Sequence, residues 1–223
     1  MTISRISSAT SNGTTVTLGS HAKGDLLMIF GYRDASATAP TLPSGWYNLM
    51  ATAASSPSLV VAWKIAASSS ESSGTWTNAS TLHSIVYRAG TGSIVIPTIL
   101  QTSIGTTTTP TFGAPVVAGT FPTNIDDYWI VGMMGMRSSN NNLQSATWTG
   151  LSNVTSSTDG SSWQVVVNDS NATRTTAWTS QSATVTNSAA WRSAVVGLIE
   201  FPAQSASGGG GFRPVNIRGG ADQ

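Results

Sequence analysis

The sequence contains no cysteine, so disulfides and thiolate metal sites are excluded. Histidine is scarce: His21 and His83 are the only imidazoles available to act as a base. Charged residues make up 9% of the 223 positions, against roughly 25% in ordinary soluble domains. The solvated surface is therefore expected to be built from Ser, Thr, Asn and Gly. With a formal net charge of +1, the chain has no electrostatic case for binding nucleic acid or an anionic membrane. No apolar run is long enough to span a bilayer, and the opening MTISRISSAT lacks the apolar core of a signal peptide. A chain made in the cytosol and exposed later, within an assembly, fits both the missing secretion signal and the Ser/Thr-rich composition. A charge-poor surface also does little to oppose self-association, so a homo-oligomer is expected.

What is present is a series of short apolar runs bounded by turn residues. Gly24 to Arg33, GDLLMIFGYR, reads as a buried strand, and Asp127 to Arg137, DYWIVGMMGMR, reads as its return. Alternation predicts further strands at Gly13–Leu18 and at Ser58–Ile65, the latter with Leu59, Val61, Trp63 and Ile65 on one face. Thr75–Thr77 and Leu82–Arg88 read as two more, and no window carries a sustained helical period. The predicted class is all-β.

The order of these segments recurs. Asp25 aligns with Asp127, Gly45–Leu49 with Gly150–Val154, Leu59 with Trp163, Thr75–Asn78 with Thr184–Asn187, and Ser84 with Ser193. Gly105-Thr106-Thr107 aligns with the first strand. This predicts an internal duplication with half-repeats at about 13–90 and 105–201. About five strands per half predict one antiparallel β-sandwich, residues 1–203, whose two sheets are shared between the halves. Residues 204–223, QSASGGGGFRPVNIRGGADQ, follow as a Gly-rich tail. By composition such a tail is flexible. We read Phe212 to Arg218 as a docking peptide, with Phe212, Val215 and Ile217 as apolar anchors and Arg213 and Arg218 as charged contacts. Strand addition to a partner's sheet edge is one mode for it.

No catalytic constellation emerges. Neither histidine lies near a nucleophile elbow, no G-x-S-x-G occurs, the carboxylates are scattered, and the four glycines lead into no helix. His83, aligned with Arg192, is expected on the solvent side or in a subunit contact. Asp25 reads as a turn former. Asp159 and Asp169, with Asn168 and Asn171, offer oxygen ligands that a weak calcium site would need, but polar turns of this composition are common. No metal site and no cofactor are assigned. Trp63, Trp76, Trp163 and Trp191 read as core. Trp46, Trp148 and Trp178 lie at loop edges, where they either cap the sandwich or stack on sugars.

The succession GDLLMIFGYRD, LPSGWYNL, SLVVAWKIA, SSGTWTN and LHSIVYR resembles jelly-roll, concanavalin-like accessory virion proteins of tailed bacteriophages over about residues 1–203, with the second half the weaker copy. The resemblance implies a jelly-roll-like sandwich and a non-enzymatic structural protein, made in the host cytoplasm and displayed on the phage particle. Such a protein is a capsid decoration or cement protein, or a tail accessory protein. Its partners would be a major capsid or tail protein and copies of itself. The alternative is a receptor-binding module that recognises host surface glycans through Trp46, Trp148 and Trp178.

Overall fold

The structure, a computed structural model, describes residues 3–52, 55–96, 99–114, 116–117, 128–138, 140–174 and 178–201. The chain folds as an all-β antiparallel sandwich. Strands β1 (Ser4–Ser11), β2 (Leu26–Arg33), β3 (Tyr47–Thr52), β4 (Ser58–Ile65) and β5 (Thr81–Arg88) form one sheet in the order β1-β5-β2-β4-β3. The chain continues through β6 (Ser93–Val95), β7 (Ile99–Gly105), β8 (Thr111–Phe112), β9 (Val116–Val117), β10 (Tyr128–Met136), β11 (Ser152–Thr158), β12 (Gln164–Asp169), β13 (Gln181–Ser182) and β14 (Trp191–Phe201). The second sheet runs β11-β12-β10-β14-β7-β9, with β6 beside β14; β8 and β13 form a separate ribbon.

The two sheets repeat one plan. β7, β14, β10, β12 and β11 take the places of β1, β5, β2, β4 and β3 in the same order. A bulge breaks the β3–β4 ladder between Asn48 and Met50, and another breaks β11–β12 between Asn153 and Thr155. The expected pairing of Asn48 with Asn153 therefore coincides in space. Counting along the ladders from the bulges, the row Thr52-Leu59-Tyr32-Thr81 corresponds to Ser157-Val165-Gly135-Arg192. This corrects four alignments. Leu59 matches Val165 rather than Trp163, His83 matches Ala194 rather than Arg192, and Ser84 matches Val195 rather than Ser193. These two-residue slips keep each side chain on its face. Asp25 matches Tyr128 rather than Asp127, a one-residue slip that exchanges faces.

The distribution of the halves is also corrected. The sheets are not shared: each half builds a complete sheet, so strands are not interleaved between layers as in a jelly roll. The layers meet through Leu26, Met28, Phe30, Tyr32, Leu59 and Val61 on one side and Trp129, Val131, Met133, Val165, Val167 and Val196 on the other. The opposite face of each sheet is apolar too, and loops roof it. Val16, Trp46, Ala66 and Trp76 cover Leu27, Ile29, Val60 and Leu82. Phe112, Leu143, Trp148, Trp178 and Val185 cover Ile130, Met134, Val166 and Val195. Burial on both faces explains why β2 and β10 read as unbroken apolar runs.

The roofing also accounts for two expected strands that do not form. Gly13–Leu18 is a loop whose Thr14 carbonyl accepts from Trp76 N (2.7 Å) and whose Val16 N–H donates to Ser73 Oγ (3.1 Å). Thr75–Thr77 holds only a bridge from Thr77 to Thr41, because Trp76 is pinned as a roof residue by its Nε1–H donating to the Ser73 carbonyl (2.9 Å). The equivalent Val185 N–H donates to Thr108 O (2.9 Å), so both halves strap the roof in the same way.

Candidate functional site: an aromatic groove beside the edge strand

The three loop-edge tryptophans are all buried. Trp46, Trp148 and Trp178 are 8%, 2% and 7% exposed. Trp46 packs edge-on against Trp76 (centroids 5.8 Å apart), Trp148 against Phe112 (4.9 Å), and Trp178 lies under the Arg174 guanidinium (5.0 Å). Rings enclosed this way present no free face to a sugar, so these tryptophans cap the sandwich and the glycan role expected of them is withdrawn. The expected anchor residues Phe212, Arg213, Val215, Ile217 and Arg218 lie outside the described residues.

The described carboxylates are all committed to structural partners. Asp25 receives a fork from Arg88 (2.7 Å from both Nε and Nη2) and also the Ala22 N–H (2.7 Å). Burial pushes its carboxyl up, but those bonds more than offset this and hold it below its usual value. This bears out the turn-forming role expected of Asp25. Asp34 pairs with Arg137 (3.0 Å), and Glu71 with Lys64 (2.8 Å). Asp159 accepts backbone N–H groups from Ser161, Ser162 and Trp163 and is lowered to about 2: burial raises it and those bonds outweigh the burial. Asp169 is fully buried and accepts from Arg5 Nη1 (2.7 Å), Tyr87 Oη (3.0 Å) and Asn171 N (3.0 Å). Glu200 accepts from Thr91 N and Gly92 N. Among the described residues, no three acidic or histidine side chains cluster as metal ligands.

His83 is not on the solvent side; it is buried between the sheets, which corrects the expectation for it. Its Nε2 lies 2.8 Å from Ser157 Oγ, its Nδ1 meets Thr155 Oγ1, and Ser157 Oγ also reaches Thr81 Oγ1 (3.0 Å). The Ser–His contact resembles part of a hydrolase triad, but the far nitrogen faces a hydroxyl where a triad has a carboxylate. Burial pushes the imidazole down to about 3, so it stays neutral. With Arg5–Asp169 and the Asn12 Nδ2 bond to Thr158 O (2.8 Å), this polar seam ties β1 and β5 to β11 and β12.

The exposed feature lies at the other edge of the first sheet. An open groove of about 630 Å³ is lined by Ser44, Gly45, Tyr47, Trp63, Lys64, Ile65, Ala67 and Glu71. Tyr47, on edge strand β3, is 63% exposed, and its ring tilts at 34° against half-buried Trp63 with centroids 5.3 Å apart. Ile65 is 44% exposed. Lys64 Nζ sits 4.8 Å over the Trp46 ring, and also donates to Glu71 Oε2 (2.8 Å) and Ser72 O (3.2 Å). Glu71 Oε1 accepts from Ala67 N, and its own N–H donates to His21 Nε2 (3.0 Å). The Lys64 ammonium holds the Glu71 carboxyl below its ordinary value. The groove thus combines an aromatic platform, an internally neutralised ion pair on a braced loop, and Ser44 on its wall.

Trp63 reads as core from its alternation with Leu59 and Val61, and the register adds its exposed partner. Tyr47 pairs with Trp63 one step before the first bulge, and the matching step of the second half pairs Ser152 with Asp169. The aromatic pair is peculiar to one half. Compared with known proteins, the chain matches no family model, no curated protein and no solved structure.

Proposed function

We propose that this chain is a non-enzymatic accessory virion protein of a tailed bacteriophage, a capsid decoration or tail accessory protein that docks through its C-terminal segment. The observation that carries the non-enzymatic part is the fate of its reactive groups. Among the described residues every carboxylate braces a turn, a loop or the sheet interface, and both imidazoles hold structural hydrogen bonds. Glycoside cleavage needs two carboxylates across a cleft, and among the described carboxylates only Glu71 lines the groove. The charge-poor composition and the apolar side chains left exposed on strands away from the groove, Val95 and Ile104, support a protein that works by burying surface in an assembly.

The test compares the full chain with a variant ending at Ala203, each added to phage particles that lack the protein. The full chain is expected to co-sediment with the particles. The shortened chain is expected to keep its circular dichroism spectrum and stay in the supernatant. Equal co-sedimentation of both would overturn the docking role, and cleavage of envelope polysaccharide by either would overturn the non-enzymatic one.

A further inference from the structure

We propose that the groove beside β3 is a binding site for a neutral saccharide, with the Tyr47 ring as its stacking platform. The fold does not require this pair of rings. The equivalent step in the second half carries Ser152 and Asp169, and that sheet forms with the same strand order. A large aromatic kept 63% exposed against a second ring at 5.3 Å is therefore a feature added to the framework. An exposed ring face suits the C–H face of a pyranose, as it suits any flat, partly apolar ligand.

Polar groups that line the same groove narrow the class. Lys64 Nζ uses two of its three donors on Glu71 Oε2 and Ser72 O, leaving one for a ligand. Glu71 accepts from Lys64 Nζ and from the Ala67 and Ser68 backbone and keeps further lone pairs, and Ser44 lines the groove wall. Donors and acceptors side by side match the paired hydroxyls of a sugar. Because the lysine and the glutamate neutralise each other, the groove favours neither an anionic nor a cationic ligand. Its parts are also set in advance: Lys64 rests on Trp46, and His21 holds the loop that carries Glu71. A second copy adding its strand along β3 fits less well, because the bulge between Asn48 and Met50 interrupts the row of backbone groups such pairing needs.

Saturation-transfer NMR on the full chain tests this, with cellohexaose, chitohexaose and maltoheptaose as neutral probes and an oligogalacturonate as the anionic one. At least one neutral probe is expected to bind. Tyr47→Ala is expected to weaken that binding at least about tenfold, and Tyr47→Phe to leave it within about threefold. The reading is overturned if no neutral probe binds, if the anionic probe is preferred, or if Tyr47→Ala leaves binding unchanged. Tyr47-dependent self-association in sedimentation velocity would also overturn it, by assigning the groove to a second copy. None of these outcomes depends on particle docking, so this proposal and the previous one fail separately.

Discussion

Tyr32 and Gly135 hold the same place in their respective sheets, and they touch each other. A Cβ on Gly135 would lie 2.3 Å from Tyr32 Cδ2 and 2.4 Å from Cε2. Two residues further along, Asp34 and Arg137, also equivalent, pair at 3.0 Å. Contact between equivalent residues marks an approximate two-fold axis, here running along β2 and β10. At this point along the axis the Tyr32 ring occupies the space that a Gly135 side chain would need, so one half carries the ring and the other a glycine. Gly135→Ala is accordingly expected to cost about 1–3 kcal/mol through overpacking against a buried ring. Urea denaturation checks the cost, and pairing the change with Tyr32→Leu should recover part of it.

Stability should also depend on pH through His83. Its folded-state value is about 3, below the ordinary 6.5, so the unfolded chain binds the proton more readily. The stability tied to neutral His83 is complete above pH 6.5 and declines as pH falls from there towards 3. The expected slope is about 1.4 kcal/mol per pH unit in the middle of that window. Denaturation midpoints between pH 7 and 4.5 measure it, and His83→Gln should flatten the curve over the same range.

The Arg5–Asp169 pair gives a pH effect of the opposite sign. Burial raises the Asp169 carboxyl despite Arg5 and Tyr87, so its charged form is held at some cost. Arg5→Ala strands that charge and is expected to lose about 2–4 kcal/mol at pH 7. Because a raised carboxyl takes up its proton readily, the gap between Arg5→Ala and the parent should narrow as pH falls towards 5. A gap that is constant across pH would contradict the assignment.

Tryptophan and tyrosine substitutions separate capping from binding. Trp148→Ala and Trp46→Ala remove buried roof rings and should each cost about 3–5 kcal/mol. Tyr47→Ala removes a mostly exposed ring and should change stability by no more than about 0.5 kcal/mol. Thermal and urea unfolding of the three variants are sufficient to check this.

How much of this was legible follows from where each strand lies. β2, β4, β5 and β10 are apolar on one or both faces, and their runs stand out in any window. Edge strands β1 (SRISSATS) and β11 (SNVTSST) do not, because a half-exposed edge of Ser and Thr has the composition of a loop. The duplication was legible in order but not in register, since Ser/Thr-rich connections give no means of placing insertions of one or two residues. Asn48 and Asn153 aligned correctly because each sits at a bulge with its own short signature. The fate of the loop tryptophans depended on roofs folding back over the outer faces, which no local pattern records. The groove was hidden for a related reason. Trp63 alternates with Leu59 and Val61 as a core residue does, and only the register pairs it with an exposed ring.

The central claim, a duplicated sandwich displayed on a phage particle without chemistry of its own, is tested most directly by a cryo-electron microscopy map of the intact particle. The account predicts a two-layered β density on the outer surface of head or tail, joined to the neighbouring protein by the segment after residue 203. A particle without that density, or one joined to it only through β-sheet faces with that segment free, would contradict the account.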